Sequence, residues 1–138
     1  MDAETSPQRQ LEQGRLVLLI VEDSFATRWT AAAYLREAGH RVLEAANAAQ
    51  AMSVLCSGIR VDAVFSDVCM PGDLNGHDFA CWVAKHHPEL PVLLTSGAPQ
   101  EADTLAGGKG RRFLAKPYDL SEVVRHLQAM HDASRRCR

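Results

Sequence analysis

Three acidic residues and a lysine stand where short apolar runs end. Glu22 and Asp23 follow Leu16-Val17-Leu18-Leu19-Ile20-Val21, Asp67 follows Ala63–Ser66, and Lys116 follows Phe113–Ala115. A further run, Val92–Thr95, closes on the hydroxyls of Thr95 and Ser96. If these ends meet, three carboxylates crowd together, and their repulsion raises their pKa values unless a cation sits among them. Oxygen donors without a nearby thiolate or imidazole suit a hard ion, and Mg²⁺ takes a few carboxylates together with waters and phosphate oxygens. With its charge screened, Asp67 has the chemistry of a nucleophile toward phosphorus, forming an aspartyl phosphate. Phosphoryl transfer asks for positioning and charge neutralisation above all. Mg²⁺ would supply one positive centre, Lys116 the other, and Thr95 a hydrogen bond to a phosphoryl oxygen.

The elements that must bring these ends together can be read from hydrophobic periodicity. An uninterrupted apolar run such as 16–21 suits a strand buried on both faces, as in a parallel sheet. Shorter runs recur at Arg41–Glu44, Ala63–Ser66, Val92–Thr95 and Phe113–Ala115. Between them the spacing turns helical. Ala31, Leu35 and Ala38 are stopped by Gly39, and Ala48, Ala51, Met52 and Leu55 follow the capping-box spacing of Asn47 and Gln50. Phe79, Trp82 and Val83 end near Pro88, and Leu120, Val123, Val124 and Leu127 follow Asp119 and Glu122 as a cap pair.

Five rounds of strand and helix predict a doubly wound α/β fold, a five-stranded parallel sheet with helices on both faces. Ligands of such folds bind beyond the carboxyl ends of the strands, where the acids and the lysine fall. The fourth helix is the exception. Leu105 is the only large apolar residue between Thr95 and Phe113, and Gly107, Gly108 and Gly110 oppose helix formation, so this helix is expected to be short or irregular.

A chain of 138 residues, 46% hydrophobic, is about one domain and can bury a core unaided. Residues 1–14 read as a flexible polar leader, 15–131 as the domain, and 132–138 as a solvated tail holding Arg135, Arg136 and Arg138. With 15 basic against 17 acidic side chains there is no cationic face for a nucleic acid. Cys56, Cys69, Cys81 and Cys137 lack the paired spacing of a zinc or thioredoxin motif, and neither a secretory h-region nor a membrane span is present. A reduced, cytoplasmic protein is the expectation.

Leu19-Ile20-Val21-Glu22-Asp23, Ser66-Asp67-Val68-Cys69-Met70-Pro71-Gly72, Leu94-Thr95-Ser96-Gly97 and Lys116-Pro117 together resemble the receiver domains of two-component response regulators. The wording is closest to single-domain regulators and to receivers attached to hybrid histidine kinases. The resemblance runs from about Arg15 to Met130 and implies a flavodoxin-like sheet of order 2-1-3-4-5. It further implies that Asp67 is the phosphoacceptor and that Asp23 and Asp67 bind Mg²⁺ directly. Glu22 would bind it through water, and the backbone carbonyl of Cys69 would complete the protein ligands. Thr95 and Lys116 would hold the phosphoryl group, Phe113 would be the aromatic switch residue, and the Lys116–Pro117 bond would be cis. The expected partners are a histidine kinase or histidine phosphotransferase and a downstream protein, since no output domain follows residue 131; whether the chain dimerises is open.

Blander readings attach to other residues. The Cys69 side chain, which borders the site, reads as a space-filler rather than a tuner of dephosphorylation or an oxidation target. His77, His86 and His87 read as helix-surface residues, and Trp29 as a partly exposed residue on a partner-facing surface. Two other functions compete. A Mg²⁺-dependent phosphatase of the haloacid-dehalogenase kind also forms an aspartyl phosphate but expects Asp-x-Asp, where Asp67-Val68-Cys69 stands. A phosphorylation-independent binding module would keep the acidic pocket only as a vestige.

Overall fold

The computed structural model describes residues 14–97 and 110–136. Its strands are β1 (Val17–Val21), β2 (Arg41–Ala45), β3 (Ala63–Asp67), β4 (Val92–Ser96) and β5 (Arg111–Ala115). Its helices are α1 (Phe25–Glu37), α2 (Ala48–Cys56), α3 (Gly76–His86) and α4 (Leu120–Arg136). The strands pair in parallel in the order β2-β1-β3-β4-β5, the doubly wound arrangement expected. The irregular fourth helix expected between Thr95 and Phe113 falls on residues 98–109, outside the described residues, as do residues 1–13 of the leader.

Side chains alternate across each strand, and this alternation divides the core in two. Leu19, Val21, Val64 and Leu94 point to the face covered by α2 and α3, where Ala51, Leu55, Phe79 and Val83 meet them. Leu18, Ile20, Phe65 and Leu93 point to the opposite face and pack on Leu35 of α1 and Val123, Leu127 and Met130 of α4. β3 and β4 are buried along their whole length, as a central parallel strand requires. β5 is an edge strand and only half-buried. It starts at Arg111, earlier than the apolar run at Phe113 suggests, because Arg111 and Arg112 at an edge leave no hydrophobic signal.

Helix ends follow local side-chain chemistry. Asn47 accepts from the Gln50 amide at 2.8 Å, and Gln50 reaches back to the Ala46 amide at 2.7 Å. Asn75 and Asp78 form a reciprocal capping box at the start of α3, which periodicity alone does not reveal. Gly39 ends α1 with φ of 100°, a left-handed conformation that glycine adopts without a Cβ clash. The expected tail is partly helix: α4 runs on to Arg136 rather than stopping at residue 131, and Ser134 Oγ donates to the Glu89 carbonyl at 2.8 Å.

At the amino end of the sheet, buried His40 accepts the Leu16 amide on Nδ1 at 3.0 Å, and burial lowers its pKa below the usual 6.5. A protonated Nδ1 cannot accept, so the neutral ring is the form that stabilises β1. With the folded pKa depressed, the contribution is complete above pH 6.5 and is lost as pH falls below that value. Urea unfolding of the wild type against His40→Leu is expected to show the stability difference between them shrinking from pH 7.5 to pH 5.5. A difference that does not change with pH would remove His40 from the account.

Candidate functional site

All five strand ends point to one rim. β1 delivers Glu22 and Asp23 just past Val21, β3 ends in Asp67, β4 brings Thr95 beside Asp67 by register, and Lys116 follows β5. One oxygen from each of Glu22, Asp23 and Asp67 lies within 4.8 Å of the others. Lys116 Nζ donates to Asp67 Oδ2 at 2.9 Å, and the Cys69 amide donates to Asp67 Oδ1 at 3.1 Å. Both oxygens of this buried carboxylate are therefore held.

The electrostatics match the geometry. Burial pushes the Glu22 carboxyl up from 4.5 to about 7; the Ser24 amide counters this, and Asp23 and Asp67 add to the rise. Burial acts to lower the Lys116 ammonium, but the hydrogen bond and charge of Asp67, with Glu22 behind it, leave its pKa raised. Thr95 Oγ1 is buried without a hydrogen-bond partner among the described atoms, although buried hydroxyls normally find one.

A hard divalent ion fits these donors. At a metal–oxygen distance of about 2.1 Å, ligand oxygens sit up to about 4 Å apart, so the three carboxylates need only close slightly to share one ion. Asp67, Glu22, Asp23, Thr95 and Lys116, placed on separate strands by the sequence, are brought together.

Residues 18–128 match the response regulator receiver domain model. The chain belongs to this family. The transcriptional regulatory protein TcrA of Mycobacterium tuberculosis is 30% identical over 115 residues, covering 82% of this chain and 45% of TcrA. The chain spans about half the length of the curated relatives it first matches. The receiver domain of the hybrid histidine kinase CckA superimposes with a TM-score of 0.70 at 30% identity, over 83% of this chain and 98% of that one. The response regulator TrrA of Thermotoga maritima, in complex with Mg²⁺–BeF, shares the fold with a TM-score of 0.75 at 22% identity, over 83% and 98%. This is therefore a receiver domain of two-component signalling.

The Lys116–Pro117 peptide is cis. Phe113 is half-buried, registers with Leu94 and packs on the α2/α3 side of the sheet. Cys69 has an exposed side chain, and its contact with Asp67 is made by its amide. Trp29 is exposed, at 57%, as is Phe25 one turn earlier, at 67%. His86 stacks on Trp82 with ring centroids 4.6 Å apart, and none of His77, His86 and His87 joins the acidic cluster. Among the described residues no helix is long and apolar enough to cross a membrane.

Two residues escaped the sequence reading. Tyr118 lines the same small cavity as Glu22, Asp67 and Thr95, with its ring edge-on to Phe65 at 5.5 Å. Its only signal in the sequence was an aromatic directly after Lys116-Pro117. Gly76, the first residue of α3, donates its amide to the Val68 carbonyl at 2.8 Å. A Cβ there would drive into the Asp67 carbonyl and come within 2.7 Å of Val68 Cα, both backbone atoms that cannot swing aside. Gly76 thus lets the amino end of α3 press on the peptide that carries Asp67. The expected outcome for Gly76→Ala is a loss of about 1–3 kcal/mol in urea unfolding, the usual cost of overpacking. An unchanged midpoint would show that the contact is slack.

Proposed function

We propose that this receiver domain accepts a phosphoryl group on Asp67 and uses it to switch a protein-interaction surface. Receiver domains are phosphoacceptors that pair with histidine kinases or histidine phosphotransferases, and a phosphohistidine is the donor class this site suits. The observation that carries the reading is the meeting of Glu22, Asp23 and Asp67 with Lys116 around one point, from separate strand ends. A carboxylate oxygen of Asp67 forms a bond to phosphorus as the phosphorus–nitrogen bond of the donor breaks, and the imidazole keeps that electron pair. Lys116, already on Asp67 Oδ2, is placed to pair with the transferred group. The hydroxyl of Thr95, without a partner among the described residues, can donate to a phosphoryl oxygen.

Asp23 and Asp67 would hold Mg²⁺ directly, Glu22 would hold it through water, and the Cys69 carbonyl would be a further ligand; the bound ion supplies charge neutralisation during transfer. The Mg²⁺–BeF complex of TrrA supports this choice of ion by likeness of fold. Phosphorylation adds nearly two negative charges beside Thr95 and Lys116. Drawn toward them, Thr95 and Lys116 would carry the change into β4 and β5, where Phe113, half-buried against the core, would repack. In this role the chain takes and loses a phosphoryl group without turning over a separate substrate, and its signal passes to a downstream protein. The cytoplasm, where kinase and phosphodonor are found, is the compartment proposed.

The test is incubation with a small acyl phosphate and Mg²⁺, followed by intact mass. The wild type gains one phosphoryl group and Asp67→Asn gains none; a gain in both places the acceptor elsewhere. Sustained release of phosphate from an added phosphoester would favour a phosphatase. Failure to bind Mg²⁺ with beryllofluoride would favour a phosphorylation-independent module. Mg²⁺ at one hundred times its Kd is expected to stabilise the wild type by about 2.7 kcal/mol. Asp23→Asn should remove most of that gain, as read by thermal denaturation with and without chelator.

A further inference from the structure

The loop carrying Glu22 and Asp23 leaves the sheet where the β1–β2 register ends, at Val21 opposite Ala45. Its local restraints are thin. Ser24 caps α1 through a 3.4 Å bond from the Thr27 amide, long for such a contact, and the first turn of α1 holds no acidic residue. The Ser24 amide donates to Glu22 Oε2 at 2.9 Å, a bond inside the loop that does not tie it to anything else.

Two bonds on the Glu22 backbone do restrain it, one to the sheet and one to α1. Its amide donates to the Ala45 carbonyl at 3.0 Å, and its carbonyl accepts Arg28 Nη1 at 2.8 Å. The same guanidinium donates from Nε to Glu44 Oε1 at 3.2 Å and lies 5.5 Å from the centroid of the Phe25 ring. Arg28 therefore stands where the next rung of the β1–β2 ladder would be, with one arm on the exit of β1 and one on β2. Its side chain is only 15% exposed. Glu44 is in turn braced from the other side, its Oε2 accepting Arg36 Nη2 at 3.2 Å.

A cation this close to a cation-binding cluster would by charge alone weaken metal binding. Glu44, shared with Arg36, offsets part of that charge, and the directional bond to Glu22 remains. We propose that Arg28 is a positioning residue: by fixing the Glu22 carbonyl it holds the Glu22 and Asp23 carboxylates where they converge with Asp67. This rests on the assignment of the acidic cluster as the Mg²⁺ site. Arginine suits the task because its planar fork serves Glu22 and Glu44 at once, which the single ammonium of lysine does not reproduce.

The effect of Arg28 on Mg²⁺ affinity has a sign that separates positioning from charge. Residues that orient metal ligands from behind typically cost about 10–100-fold in affinity when removed. Titration calorimetry of Mg²⁺ into the full chain is therefore expected to show Arg28→Gln binding at least about tenfold more weakly than wild type. In the metal-free proteins, hydrogen exchange at the Ser24 amide should be faster in the variant. Unchanged or tighter Mg²⁺ binding by a folded Arg28→Gln would overturn the proposal and leave Arg28 as a local charge. Should Arg28→Gln not fold, Arg28→Lys, which keeps the charge, is expected to bind Mg²⁺ weakly too, and wild-type affinity there would overturn the proposal. A wild type that binds no Mg²⁺ would sink the assignment of the cluster itself, and this inference with it.

Discussion

Three carboxylates held within 4.8 Å of one another, two of them buried, are the constraint on which the rest of this receiver domain depends. Left alone they repel, and burial raises the cost because a charged carboxylate loses its water. The fold answers with a counter-charge, Lys116 on Asp67, and with amides from Cys69 and Ser24 aimed at the same carboxylates. Burial, with Asp23 and Asp67 adding to it, still displaces the Glu22 carboxyl upward to about 7. In the proposed role, a site in that condition would favour an added cation, and a phosphoryl group arriving beside it would change the balance again. Sensitivity to charge is the property that a phosphorylation switch requires.

A parallel sheet with its carboxyl ends on one rim assembles this cluster from distant parts of the chain. Because the strands run parallel, each delivers its last side chain to the same edge. The rim is then stiffened unevenly. On the β1 and β3 side, Gly76 lets α3 bear directly on the Asp67 peptide, and Arg28 ties the acidic loop to β2. On the β5 side no strand residue is buried; Arg111, Phe113 and Leu114 are half-buried, and Arg112 and Ala115 are exposed. Rearrangement costs least where least apolar surface is committed, and Thr95 and Lys116 lead from the rigid side of the site toward this softer edge.

The legible part of this architecture was local. The continuous apolar run at 16–21 announces a strand buried on both faces, and Asn47 with Gln50 announces a helix start, because burial and capping leave their mark within a few residues. The acids at 22, 23 and 67 and the lysine at 116 could be grouped because each ends such a run. Where local signal failed, the cause is equally local. Arg111 and Arg112 hide the start of β5 since an edge strand need not be apolar, and the polar residues after 131 hide a helix that a single serine contact to Glu89 helps to hold.

By itself the sequence determined which chemical groups sit at the strand ends, and so the kind of chemistry the rim supports. Tertiary structure alone decided how those groups are held. Nothing in a glycine at 76 announces that a methyl group there would collide with the Asp67 peptide. Nothing in an arginine at 28 announces that it bridges Glu22 to a glutamate on the neighbouring strand. The type and order of residues report burial and turn chemistry along the chain. Close approach between residues far apart in sequence depends on how helices and strands pack, and no single position encodes it.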